Sequence, residues 1–392
     1  MRLGIIELKD SHYTLIYSLV HIYNCEGNEI LIFTTPLIQK YLGDLLKAEN
    51  VRFVIKNDGD SLKSFLTTIN GFQLDKVYIT TFSGSISIFS KSPFRFPVNF
   101  FIHNIDEWER RSLFQQIRIF IEEVALHGIK NAGYQFKKQF IHPILIRQIH
   151  DIVLDTGGRF IVLNSLLKKH LEHIIPGERI EIIPFWIYDK RLFTSEIRKD
   201  HSRLRICIPG QLSTIRRDYL NFFRYIDENL DMFIQNFELI LLGNVSPSKE
   251  EKGEDIIKAA ESLNAKGFRI QFYTGFIPFQ EYDRILSGSD ILLGNVNTDL
   301  GVGKLYGSTK DSGVIYNMVH AAKPGFVPEG FKVADEFRDY IIVYEDYEQL
   351  MQKLLKLKND KGSLGELQKK ARTASERFEP YQIYKRIEKK TL

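Results

Sequence analysis

The stretch from Tyr306 to Pro328 reads YGSTKDSGVIYNMVHAAKPGFVP, and it holds the pattern on which the fold turns. A polar, glycine-containing loop carries one lysine, Lys310. The run Gly313–Ala322 is amphipathic and predicts a helix, Lys323-Pro324 stops it, and a short apolar strand follows. A loop that delivers Ser312, Gly313 and Val314 to a helix start offers backbone N–H groups with no partner inside the helix. That arrangement binds anions, above all phosphate. Lys310 adds a mobile positive charge beside it. The same residues also suit an ordinary strand–loop–helix turn with Ser312 as its cap.

Working outward, strands and helices alternate on both sides of a break. Strands are expected at Leu3–Leu8, Glu29–Thr34, Val51–Ile55, Lys76–Ile79, Val98–Ile102, Arg159–Leu163 and Ile180–Ile183. The helices between them include a short one over Phe82–Ser90 and a long one over Asp106–Leu126, with Asp and Glu in its first turn. Pro184–His201 has a proline, several charges and no period, and reads as a linker. Alternation resumes with strands at Arg205–Pro209, Phe237–Leu242, Arg269–Tyr273, Asp290–Gly294 and Ile341–Tyr344, and ends in a basic helical tail, Tyr381–Lys390. Strands separated by helices imply parallel sheets covered on both faces. The fold class is therefore α/β, with two Rossmann-like domains facing a central cleft. Residues 1–183 form the first domain, 184–202 the linker and 203–378 the second. Residues 379–392 form a C-terminal helix that packs back on the first domain. Ligands of such sheets bind beyond the carboxyl ends of the strands.

Composition limits the alternatives. The 392 residues are 44% hydrophobic and 12% aromatic, ample for two cores and far from a disordered composition. A formal charge of +4 excludes a broad nucleic-acid-binding surface. The two cysteines, Cys25 and Cys207, lie far apart in apolar runs, where they read as buried small hydrophobes; no disulfide framework or metal-ligand spacing results. The chain starts directly on a strand, and no run of about 18 apolar residues occurs. The expectation is a cytoplasmic protein.

The second half resembles the GT-B glycosyltransferases, in particular the large retaining family that uses nucleotide-sugar donors (glycosyltransferase family 4-like). Ile206-Cys207-Ile208-Pro209-Gly210-Gln211-Leu212-Ser213 with Arg216 is similar to that family's first C-domain strand and its Gly-Arg-Leu turn followed by a lysine. Leu239–Gly243 resembles the next strand, and Phe272–Ile277 the strand and loop that meet the nucleobase. Ser289-Asp290-Ile291-Leu292-Leu293 matches a small-Asp-apolar strand, and Gly313–Pro324 the donor helix. In the first half, Phe160–Leu171 and Phe101-Ile102-His103 resemble two further landmarks. The resemblance spans nearly the whole chain. It departs at the family's two glutamates, seven residues apart, whose positions hold Lys310 and Asn317, and at Gln211 and Arg216, which stand for the usual arginine and lysine.

The resemblance implies transfer of a sugar from a nucleotide diphosphate to a glycan or lipid-linked acceptor in polysaccharide or glycoconjugate assembly. It implies retention of configuration, with no metal and no cofactor beyond the donor itself. The expected catalytic groups are His103, Arg216 and Lys310, with His103 touching the transferred sugar. The expected donor contacts are Gly210, Gln211, Arg217, Gly275, Phe276, Ser312, Gly313, Val314 and Asn317. Tyr306 and Asp311 are candidates for donor-sugar hydroxyls, and His320 reads as packing. Asp10 and His12, in the first strand–helix loop, are the acceptor-side candidates. Gly128–His150 carries Lys130, Lys137, Lys138 and Arg147 among aromatics without an acid, which fits either peripheral contact with a membrane surface or ordinary packing on the first domain. The Lys310 and Asn317 departures leave two alternatives open. One is a non-catalytic sugar-binding or scaffold protein of this fold; the other is a different GT-B enzyme such as a nucleotide-sugar epimerase.

Overall fold

Most strands among the described residues of the computed structural model are apolar runs buried on both faces, as parallel pairing between helix layers demands, while the edge strands Val51–Ile55 and Ile270–Phe272 are partly exposed. The structure describes residues 1–81, 86–89, 91, 94–105, 108, 112–127, 132–190, 202–298 and 309–388. The chain divides into two units, Met1–Phe185 with Pro380–Leu392, and Trp186–Glu379. Most of the expected linker, residues 191–201, lies outside the described residues, as do Tyr306, Asp106 and Lys130.

The first unit holds seven strands: β1 (Arg2–Glu7), β2 (Glu29–Thr34), β3 (Val51–Ile55), β4 (Lys76–Ile79), β5 (Val98–Phe101), β6 (Phe160–Val162) and β7 (Ile180–Ile182). They pair in parallel in the order β3-β2-β1-β4-β5-β6-β7, with Ile5 facing Ile32 on one side and Tyr78 on the other. The second unit holds β8 (Leu204–Pro209), β9 (Phe237–Leu242), β10 (Ile270–Phe272), β11 (Ile291–Leu293), β12 (Gly325–Pro328) and β13 (Ile341–Tyr344), in the order β10-β9-β8-β11-β12-β13. Each order reverses direction once. The switch falls between β1 and β4 in the first unit and between β8 and β11 in the second. The crevice outside a switch point is where a doubly wound sheet accepts a ligand, because the flanking loops turn away from each other there.

Two helices differ from expectation for local reasons. The long helix expected from Asp106 begins at Leu113 instead. Ser112 and Gln115 cap it reciprocally: the Ser112 N–H donates to Gln115 Oε1 at 2.9 Å, and the Gln115 N–H to Ser112 Oγ at 3.3 Å. The helix after β8 ends at Glu228, and a second one starts at Leu230, because Asn229 leaves helical geometry. Cys207 is buried as expected, but Cys25 is exposed, since it follows the last turn of helix Tyr13–Asn24.

The C-terminal helix Pro380–Glu388 packs on helix Tyr13–Asn24 within the first unit. Ile383 and Ile387 are buried there. Glu388 accepts from Lys76 Nζ at 2.5 Å and from Tyr23 Oη at 3.2 Å, and both partners are mostly withdrawn from water. Replacing Ile383 by Ala removes buried methyl groups and leaves a cavity, so the first unit should lose about 2–5 kcal/mol. Hydrogen exchange read by mass spectrometry should show faster exchange in residues 1–185 and unchanged exchange in residues 204–376.

Candidate functional site

The second unit concentrates its chemistry at the carboxyl ends of β8 and β11. β8 runs into Gly210, whose φ of 111° is open to glycine alone. A side chain there would also strike the Arg217 guanidinium, 2.3 Å from where its Cβ would stand. Gly243, at the end of β9, abuts the same turn: a Cβ on it would lie 2.1 Å from the Gly210 carbonyl oxygen. The two glycines let the strand ends approach closely enough for the Leu212 N–H to donate to the Asn244 carbonyl at 2.9 Å.

The loop after β8 is stitched to the loop after β11. Asn297 donates its N–H to the Arg216 carbonyl at 3.0 Å and its side-chain amide to the Thr214 and Ile215 carbonyls at 3.0 and 2.9 Å. Asn295 donates its side-chain amide to the Asp218 carbonyl at 2.9 Å, and the Asp218 N–H returns to Asn295 O at 3.2 Å. These bonds hold the loop on both sides of the exposed Arg216. Sequence reasoning missed both asparagines; their signal was the alternation Gly294-Asn295-Val296-Asn297 directly after an apolar strand.

Neighbours in sequence, Arg216 and Arg217 have opposite fates. Arg216 is exposed, whereas Arg217 is only 7% exposed and donates Nη2 to the Pro209 carbonyl at 2.5 Å. Arg217 thus fastens the β8 turn from beneath with Nη2, while its Nη1 is buried without a partner among the described residues. Asn317 is also committed. Its amide donates to the Gly313 carbonyl at 2.9 Å, its oxygen accepts from Tyr282 Oη at 3.0 Å, and it is buried. It therefore does not present a free carboxamide to a ribose.

Helix Gly313–His320 begins as expected, with Ser312 as N-cap accepting from the Val314 N–H at 3.5 Å. Asp311 accepts from the Ser312 N–H at 2.7 Å and from the Tyr316 hydroxyl, which shapes the entry into the helix. Gly313 is exposed, and its N–H has no hydrogen-bond partner among the described residues. Lys310 is half-buried, two residues before the cap. Gln211 is half-buried in the β8 turn, while Gly275 and Phe276 lie exposed in the loop beyond β10. His320 packs as expected: it is fully buried, stacks on Trp186 at 3.9 Å, and pairs with the Ile187 carbonyl and Asp283.

The first unit builds a separate polar group at its own switch point. Glu7, the last residue of β1, is fully buried. Its Oε1 accepts from the Lys9 N–H, and its Oε2 lies 2.8 Å from Thr80 Oγ1. Thr80 Oγ1 also lies 3.0 Å from the Ile6 carbonyl. Thr80 Oγ1–H donates to Glu7 Oε2, a bond that favours the charged carboxyl. Burial raises the Glu7 carboxyl from 4.5 to about 7, against the hydrogen bonds that favour its charged form. His103, at the end of β5, donates Nε2–H to the Thr80 carbonyl at 2.6 Å. His12 adopts a left-handed φ of 55° and stacks on His103 at 4.5 Å, with Phe185 edge-on. Burial, with the charges of His103 and Lys9, lowers His12 to about 3, and burial lowers His103 as well. Asp10 turns away from the histidines to accept from Thr35 Oγ1 at 2.6 Å; it lines a cavity of about 340 Å³ with Lys56 and Asp58. His12 and His103 are brought together; Asp10 belongs to a neighbouring recess. Glu7 was missed, although a carboxylate inside an otherwise apolar parallel strand was its signal.

The Glu7 shift has a defined sign. The unfolded chain releases this proton near 4.5 and the folded chain near 7, so stability falls as pH rises across that interval. Glu7→Gln should therefore stabilise the protein at pH 8 by on the order of 1–3 kcal/mol and change little at pH 4. Urea unfolding of both proteins across this range checks the crossing behaviour.

No protein-family model and no curated protein sequence matches the chain. Solved structures do. Anabaena HepE in complex with UDP superposes with a TM-score of 0.65 at 12% identity, covering 100% of this chain and 99% of that one. The trehalose-6-phosphate synthase OtsA gives 0.64 at 10% identity, covering 100% and 99%. Sucrose-phosphate synthase from Thermosynechococcus elongatus gives 0.57 at 13% identity, covering 99% and 98%. At such identities the likeness speaks for architecture, and with the two switch-point sheets it establishes that this chain has the GT-B fold.

Proposed function

We propose that the protein is a glycosyltransferase that takes a nucleotide diphosphate sugar as donor and passes the sugar to a glycan or lipid-linked acceptor, with retention and without a metal. One observation carries this reading. The second unit carries an exposed arginine in the β8 loop, which is stitched to the chain leaving β11, and a lysine and an uncommitted helix N–H at the start of the helix between β11 and β12. Similar structures support it: HepE was crystallised with UDP, with UDP and glucose, and with UDP-glucose.

In the proposed step the bond between the sugar C1 and the terminal phosphate oxygen breaks, and its electron pair leaves on the diphosphate. Arg216, Lys310 and the Gly313 N–H take up the charge that develops there. The acceptor hydroxyl oxygen bonds to C1 on the same face, and its proton passes to the departing phosphate oxygen. Gly210, Gln211, Ser312 and Val314 shape the phosphate side, and Gly275 and Phe276 meet the base. In the first unit, His12 and His103 offer neutral imidazoles to sugar hydroxyls, and Asp10 serves the acceptor. Arg217 and Asn317 contribute by holding the turn and the helix.

A second reading, nucleotide-sugar epimerisation, is favoured by the buried Glu7 carboxyl of the first unit. A carboxyl raised to near neutrality can hold and release a proton. Incubation with UDP-sugars in heavy water separates the two: epimerisation places deuterium on a sugar carbon, and transfer does not.

The donor site is tested by thermal unfolding with UDP, ADP, GDP and TDP. A diphosphate present at a hundred times its Kd should stabilise by about 2.7 kcal/mol. Arg216→Ala or Lys310→Ala should each weaken that binding at least about tenfold, the loss of a charge-assisted contact. An unchanged melting temperature with all four nucleotides would sink the proposal.

A further inference from the structure

Helix Leu113–His127, between β5 and β6, turns its hydrophobic side to water. Leu113, Phe114, Ile117 and Ile121 are all exposed, Phe114 by 77% and Ile121 by 59%. At about 100° per residue these four fall within one arc of roughly 100°, so they form a stripe rather than a scatter. The helix packs on the segment 132–141, where Phe120 meets Phe136 and Phe140 edge-on.

The next helix, His142–Asp155, which follows the segment on which the first one packs, also has an exposed side. Ile146, Ile149 and Val153 are buried on its inner side. Its opposite side, extended back to Lys137, shows Lys137, Ile141, Ile144 and Arg147 at spacings of four, three and three. Ile144 is 58% exposed, and neither cation has an ion pair among the described residues. Across Val124–His150 the chain has four lysines and arginines and no aspartate or glutamate.

Ordinary monomers rarely expose an apolar patch beyond about 300–600 Å². Most of the large hydrophobic side chains exposed among the described residues fall within residues 113–144, although each unit has a well-filled core. A partner that is itself flat, apolar below and negatively charged above matches this pattern. Phe114, Ile117 and Ile121 would enter the acyl boundary, and Lys137 and Arg147 would meet phosphate headgroups. We infer that the exposed faces of residues 113–121 and 137–147 dock on the surface of an anionic phospholipid bilayer. No helix among the described residues is long and apolar enough to cross a membrane, so the contact is peripheral. This inference does not depend on the enzyme reading, and its test involves no nucleotide.

Sedimentation of the full chain with phosphatidylcholine vesicles, and with vesicles containing about one third phosphatidylglycerol, decides it. Binding to the anionic vesicles should exceed that to the neutral ones by at least about tenfold and weaken as salt rises. The double variant Phe114→Ser, Ile117→Ser and the double variant Lys137→Glu, Arg147→Glu should each lower it at least about tenfold. All four side chains are exposed, so circular dichroism should show unchanged melting. Failure of the native chain to sediment with anionic vesicles overturns the inference. So does light scattering that shows a dimer which the Phe114→Ser, Ile117→Ser variant converts to monomer, since a second copy would then be the occupant.

Discussion

The bond from Arg217 to the Pro209 carbonyl is the contact on which the second unit's site rests. A parallel strand ends in carbonyls that its neighbours no longer use, and a loop leaving it has to satisfy them or remain in water. Arg217 satisfies one from below, and only a glycine at position 210 leaves room for its guanidinium. With the turn fixed in that way, Asn295 and Asn297 can bind its far side, and Arg216 is pushed outward. A buried cation is costly unless its donors are used. Here Nη2 is used on Pro209, while Nη1 is buried without a partner among the described residues. The arginine facing solvent and the arginine facing inward are thus one device: the second positions the first.

The first unit solves the same problem with a neutral group. Glu7 closes the end of β1 by bonding to Lys9 and Thr80, and burial holds its proton near neutrality. The backbone carbonyl of Thr80 takes the Nε2–H of His103, so that Nδ1 is left as an acceptor. The stacked His12 shares this low-polarity setting, and its left-handed backbone turns the ring back over the strand ends. Two sheets of like topology therefore present different chemistry at their switch points, cationic in one and neutral and proton-holding in the other.

Much of this was legible in the residues. Apolar runs such as Ile206–Ile208 and Leu239–Leu242 alternate with amphipathic segments, and that periodicity fixes strands, helices and parallel pairing before any tertiary contact forms. Ser312 and Gly313 announce a helix start, and the structure has one. The long first-unit helix was misplaced because acids at 106–109 looked like a first turn, while the true start is made by the reciprocal bonds of Ser112 and Gln115. Cys25 was read as buried from its apolar surroundings, yet the end of its helix turns it to solvent.

What the chain alone determined is the architecture and the list of chemically able residues, since both follow from local pattern and side-chain type. What only the tertiary structure decided is which of those residues are free to act. Arg216 and Arg217 are identical as letters, and Asn317 looks available on its helix. Burial and hydrogen bonding commit Arg217 to Pro209 and Asn317 to Gly313 and Tyr282, while leaving Arg216 in water. The same holds for Glu7, an unremarked residue in a strand until enclosure changed its proton affinity. Availability and proton affinity depend on what surrounds a group in space, and that is set by contacts between segments far apart in the chain.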